Sequence, residues 1–296
     1  MSRDFDNLLL HKVTRTQLQA FADQPANSLL ITGAVGSGKK NLAKYLAASL
    51  LGTSAEKLTN HPYFTLIEKP ADKSEISIDT VRKLIKNMEL KAPASTNLIN
   101  RVALLQNAQF LSSEAQNALL KLLEEPPAGT LLVLTAVSED DLLPTVASRT
   151  QKIKVINPSL PESLKFFNQY KAPQIEAAWW LSQGGVGLLV ALLVEDSNHP
   201  LKQAVDQAKQ FLSQSPYKRL IFLQAVSKDR AGFSLFLDAL SRVLSALHAE
   251  NLRKNNQPIA KKLLESRQTL ETAIKRSEAN TNTRLLSLAL GLNITL

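Results

Sequence analysis

Cysteine is absent from this 296-residue chain, and that absence closes several routes at once. Without thiols there is no disulfide framework, no thiolate zinc site and no cysteine nucleophile. A disulfide-stapled secreted scaffold is excluded, and a cytoplasmic protein fits. The opening residues, "MSRDFDNLLLHKV", lack the apolar stretch of a secretory signal. Long apolar runs are lacking too. The run "WWLSQGGVGLLVALLV" is broken by glycines and short for a bilayer crossing, so no membrane partner is expected. No internal repeat or low-complexity tract stands out.

What is present suffices for a core: 44% of the residues are hydrophobic. Lys and Arg number 35 against 26 Asp and Glu, a net charge of +9. Taken alone, that excess fits a basic solvated surface or a polyanionic partner such as nucleic acid.

The first half alternates short β-rich runs with helical patterns. Strands are predicted at 29–32, 64–68, 102–105, 131–136 and 152–155. Their near-continuous apolar character suits a parallel sheet buried on both faces. Helices are predicted at 41–51, 78–88 and 113–125, which makes a doubly wound α/β domain. The third helix can be capped by Ser112 or by Ser113, with Gln116 completing a capping box from Ser113. Its apolar face is Ala115, Leu119, Leu122 and Leu123, and Pro126-Pro127 ends it. After Ile156 the turn-like "NPSLPES" opens a region without strand signals, and His199-Pro200 breaks it again. The expected domains are an α/β domain over 1–157, a small helical domain over 158–200 and a second helical domain over 201–296.

One stretch carries chemistry. "ITGAVGSGKKN" places Gly33, Gly38 and Lys39 at the G-x-x-x-x-G-K spacing, with Gly36 inside it, between a strand and a helix. Glycines let backbone N–H groups converge on phosphate, and the helix N-terminus adds positive potential. The next position needs a hydroxyl to hold Mg²⁺, and here it is Lys40. The acidic pair expected after a neighbouring strand reads Gln106-Asn107. An amide matches a carboxylate neither as a metal ligand nor as a base for water. Both metal-handling positions are thus lost, which points to a retired hydrolytic site with no metal.

The segments "NSLLITGAVGSGKKNLAKYLAASLL", "HPYFTLI", "ISIDTVRKLI", "RVALLQNAQFLSSEAQNALLKLLEEPP" and "LLPTVASRT" are similar, in order and spacing, to bacterial clamp-loader subunits. These are AAA+ proteins of the DNA polymerase III complex, and the delta-prime type is the most similar. The motifs cover roughly the first half of the chain, and the tail "ANTNTRLLSLALGL" resembles the end of the family's collar domain. The resemblance implies an AAA+ P-loop α/β domain, a helical lid and an all-helical collar that joins the subunits. It implies partners: gamma/tau-type and delta-type subunits, the sliding clamp, and primer-template DNA held by its phosphates. It also implies an arginine finger lent to a neighbour's ATP from a Ser-Arg-Cys motif, which reads Ser148-Arg149-Thr150 here. Delta-prime subunits generally do not hydrolyse ATP, and a basic residue after the loop lysine is common among them.

Two departures bear on this. The family's four-cysteine zinc module is missing from "LLGTSAEKLTNHPYF", so no zinc is expected. The stretch Gly184-Gly185-Val186-Gly187-Leu188 also lacks the lid's nucleotide-sensing basic residue. Metal-free, weak binding of ATP or ADP stays open. Thr135 is either a polar sensor or a strand threonine. Arg82, Lys83 and Lys86 are either a DNA phosphate track or a solvated helix face. Trp179 and Trp180 are expected in the helical core, and His61 as a structural residue. The competing functions are an ATP-hydrolysing gamma/tau-like subunit and a stand-alone AAA+ remodelling protein.

Overall fold

The computed structural model describes residues 5, 7–70, 72–89, 98–196, 198–278 and 283–294. Residues 279–282 of the tail quoted above lie outside these. The chain divides into two compact units, Met1–Glu162 and Ser163–Leu296.

The first unit is built on five parallel strands: β1 (Ser28–Thr32), β2 (Phe64–Ile67), β3 (Arg101–Leu105), β4 (Thr130–Ala136) and β5 (Gln151–Lys154). Their order across the sheet is β2-β3-β4-β1-β5. The central strands β1, β3 and β4 are almost wholly buried, which is why they read as continuous apolar runs. β5 departs from that expectation. It is an edge strand, and only Ile153 of "QKIK" is buried.

Strand periodicity sorts the core into two layers. Leu29 and Ile31 face one layer with α1 (Lys12–Asp23) and α2 (Lys39–Leu51). Leu30 faces the other, formed with α3 (Ile78–Glu89), α4 (Ser113–Glu124) and the short α5 (Pro144–Ala147). The predicted face of α4 (Ala115, Leu119, Leu122, Leu123) is buried there.

Gln116 does not complete a capping box. Ser112 caps α4, accepting from Ala115 N at 3.1 Å. Gln116 turns inward instead and donates to the Leu111 carbonyl while accepting from Leu143 N. A buried amide needs both its donor and its acceptor satisfied, and these two partners do so. The second bond fixes the start of α5.

The second unit is all helical: α6 (Leu160–Phe166, begun in the first unit), α7 (Ala172–Ser182), α8 (Val186–Leu193), α9 (Pro200–Ser213), α10 (Pro216–Val226), α11 (Arg230–Arg253), α12 (Gln257–Glu278) and α13 (Thr283–Asn293). Helices on both sides of the His199-Pro200 break share one core, in which Leu188 clusters with Leu201, Phe211, Phe236 and Leu290. Buried Arg219 ties the last described residues in place, donating to the carbonyls of Phe211, Leu212 and Ile294. Of the tail leucines, Leu286 and Leu290 are buried, whereas Leu285 and Leu288 are exposed. No described helix is long and apolar enough to cross a membrane.

Candidate functional site

The phosphate loop joins the C-terminal end of β1 to the N-terminus of α2, as the spacing predicts. Gly36 (φ 81°) and Gly38 (φ 84°) take left-handed conformations that disfavour other residues, and Gly38 opens the helix. Gly33 is needed for space: a Cβ there would lie 3.0 Å from the Val155 carbonyl oxygen. Lys39 is only 8% exposed. Its Nζ donates to the loop's own carbonyls, Gly33 at 2.6 Å and Ala34 at 2.9 Å. Burial pushes its pKa down to about 8. Ser37 Oγ is buried in the same loop without a hydrogen-bond partner among the described residues.

Lys40 lies in the first turn of α2, where the helix dipole disfavours a cation. Glu68, just past β2, compensates: Lys40 Nζ sits 2.5 Å from its Oε1. The residue at the metal-hydroxyl position is therefore an ammonium already paired to a carboxylate. Gln106 and Asn107 follow β3, and Gln106 Oε1 is buried with no partner among the described residues. Asn107 holds a left-handed backbone, φ 54°, and its N–H donates to Thr135 Oγ1 at 3.0 Å. Thr135, 1% exposed on β4, thus has its hydroxyl engaged in fixing the turn after β3. No group of three or more His, Asp or Glu suited to a metal gathers among the described residues. This donor set does not fit Mg²⁺: it offers an ammonium and two amides where a hydroxyl and carboxylates are needed.

Ser148 and Arg149 sit at the opposite end of the strands. They follow α5 and precede β5, and the Arg149 carbonyl accepts from Ser28 Oγ, at the start of β1, at 2.7 Å. The phosphate loop begins at the other end of β1. At about 3.3 Å per residue, roughly 15 Å of strand separates the two. Arg149 pairs with Glu124 and donates to the Thr145 carbonyl. Ser148 Oγ donates to that same carbonyl at 3.2 Å. Thr150, where the motif has cysteine, is buried, and its hydroxyl donates to the Ala147 carbonyl.

Arg82, Lys83 and Lys86 all project from α3 as exposed side chains, and Arg82 lies 3.8 Å from the carboxylate of Asp79. His61 Nδ1 accepts from Tyr63 N at 3.3 Å, a turn-stabilising role. Trp179 and Trp180 are half-buried, short of the core position expected of them. They meet edge to face at 5.2 Å, with the Arg253 guanidinium 5.6 Å over Trp180. Sequence reasoning missed Glu68 and Glu124, the partners of Lys40 and Arg149. Both are distant in sequence and carry no motif signal.

A family model described as "DNA polymerase III, delta subunit" matches residues 11–159. DNA polymerase III subunit delta' of Pseudomonas aeruginosa is 34% identical over 140 residues, 43% of this chain and 42% of that one. The Escherichia coli subunit delta' is 28% identical over 200 residues, 65% of this chain and 59% of that one. Replication factor C subunit 3 of Arabidopsis thaliana is 25% identical over 231 residues, 69% of this chain and 62% of that one. The matches thus span less than two thirds of each of these relatives. Among solved structures, a DNA polymerase III gamma subunit-related protein of Thermotoga maritima superposes with a TM-score of 0.56 at 17% identity. It covers 95% of this chain and 98% of its own, and the likeness is one of fold.

Proposed function

We propose that this chain, which belongs to the DNA polymerase III delta-subunit family, is a delta-prime-type stator of a clamp loader. In this reading it joins ATPase subunits of the gamma/tau type and a delta-type subunit. It hydrolyses no ATP itself, and it lends Arg149 to the ATP site of a neighbour while the complex loads a sliding clamp onto primer-template DNA.

The observation that carries the reading is the division of the sheet between two ends. At the C-terminal end, the metal position is an ammonium paired with Glu68, beside two amides. A phosphoryl transfer needs a metal and a positioned water, and the carboxylate there, Glu68, is taken up by Lys40. At the N-terminal end, Arg149 stands partly exposed, a strand's length from its own phosphate loop. An arginine so placed is too far from its own loop to act there, which supports a role on another chain's phosphates. Any nucleotide held by residues 33–39 is held without metal, and it must displace the Lys39 ammonium from the Gly33 and Ala34 carbonyls. The helical unit also exposes apolar residues that support an assembly role, Leu285 and Leu288 on α13 and Tyr217 and Ile221 on the adjoining α10. Arg82, Lys83 and Lys86 supply phosphate contacts without reading sequence.

The test is assembly. Purified chain is mixed with the ATPase and delta-type subunits of its own polymerase III, and the products are sized by light scattering. A single stoichiometric hetero-complex is expected. A homo-hexamer of this chain, or no complex at all, contradicts the reading.

A further inference from the structure

Glu124 is the last residue of α4, and its carboxylate meets the guanidinium of Arg149 beyond the end of α5. Nε of Arg149 donates to Glu124 Oε1 at 2.8 Å, and Nη2 lies 2.6 Å from the same oxygen. Nη1 donates to the Thr145 carbonyl at 3.0 Å. The Arg149 backbone is anchored separately, through Ser28 Oγ. Every nitrogen of this side chain is thus engaged, although it is 38% exposed. An unassisted surface arginine would sample many rotamers.

A guanidinium carries five N–H donors in a fixed plane. The contacts with Glu124 and Thr145 leave one N–H on each terminal nitrogen for a further acceptor. Those contacts also fix the plane in which both are presented. Such an ion pair adds little to stability at the surface. Its larger effect is orientational, because a planar fork acts on phosphate only when correctly aimed.

We propose that Glu124 is the positioning residue of the arginine finger: it holds Arg149 in the orientation that meets a neighbouring chain's phosphates. This rests on the reading of Arg149 as acting in trans. Glu124 touches no substrate and works only through the arginine.

The test uses full clamp-loader complexes rebuilt with this chain as wild type, Glu124→Ala, Glu124→Gln, Arg149→Ala, or Glu124→Ala with Arg149→Ala. Steady-state ATP hydrolysis gives kcat and KM for each. Glu124→Ala is expected to lower kcat at the interface served by Arg149 by about tenfold. KM should stay within about twofold, since ground-state binding of ATP belongs to the neighbour. Glu124→Gln recovers part of the rate, because its amide oxygen still accepts from Nε. The double variant is no slower than Arg149→Ala alone. If Arg149→Ala slows the complex while Glu124→Ala runs at the wild-type rate or faster, the positioning role is overturned and the trans role of Arg149 stands. A further loss from Glu124→Ala in the Arg149→Ala background also overturns it, since Glu124 would then act by another route. If Arg149→Ala is itself silent, both readings fall.

Discussion

Lys40 and Glu68 are joined 2.5 Å apart across the ends of α2 and β2, although 28 positions separate them in sequence. Lys40 holds the motif position at which a P-loop hydrolase carries its metal-holding hydroxyl. It fills that position with a charge of the metal's sign, already neutralised from within the chain. On the proposed reading, the loss of hydrolysis is built into the fold through this pair and is more than the loss of a single hydroxyl.

One expectation follows at once: the purified chain has no Mg²⁺-dependent ATPase activity above background. Lys40→Thr restores the hydroxyl and frees Glu68, yet it leaves Gln106 and Asn107 in place of acids, so it should rescue nothing. Phosphate release in a coupled assay measures this. Robust turnover by the wild type that disappears in Lys39→Ala would contradict it.

Lys39 makes a pH-dependent expectation. Its folded pKa of about 8 lies below the ordinary 10.5. Between those values the unfolded chain holds the proton and the folded chain does not, so stability from this group rises with pH there. Below pH 8 both states are protonated, and burying the ammonium carries its full cost. Lys39→Met removes this dependence. Urea unfolding of the sheet unit should show the wild type gaining about 1–3 kcal/mol on the variant between pH 7 and pH 10. A constant difference across that range would show that Lys39 titrates normally.

Much of the first unit was legible in the sequence. The G-x-x-x-x-G-K spacing located the loop because its glycines answer local demands: left-handed backbone at Gly36 and Gly38, and close packing at Gly33. Strands β1, β3 and β4 were legible because burial on both faces leaves a continuous apolar run. Helix α1 was not read, since its buried Thr14, Leu18, Phe21 and Ala22 are scattered among polar residues. Spacing placed Gln116 near a cap but could not say which serine capped, and the amide proved to hold α5. Glu68 and Glu124 were illegible for a different reason. Each meets its basic partner only after the chain has crossed the sheet, and nothing in local sequence marks such a pair.

Arg82→Ala with Lys86→Ala, in the assembled complex, should weaken DNA binding and reduce the slope of log affinity against log salt by about one to two units. The loss should be the same for unrelated primer-template sequences, because phosphate contacts carry no sequence information. Fluorescence anisotropy over a range of salt concentrations reads it. An unchanged slope would assign these exposed residues to a solvated face.

The proposal that Arg149 acts on a neighbour's ATP is tested most directly by one rate: DNA- and clamp-stimulated ATP hydrolysis by the complex carrying Arg149→Ala as its single change. A trans-supplied arginine contributes on the order of 10³–10⁵ in rate at the site it serves. Total turnover should fall less than that, because other interfaces keep their own arginines. Arg149→Lys should not restore the rate, since an ammonium lacks the planar fork. A folded, fully assembled Arg149→Ala complex with clearly slowed hydrolysis is the predicted result. The same complex hydrolysing ATP and loading clamps at the wild-type rate would contradict the trans role and leave this chain a scaffold.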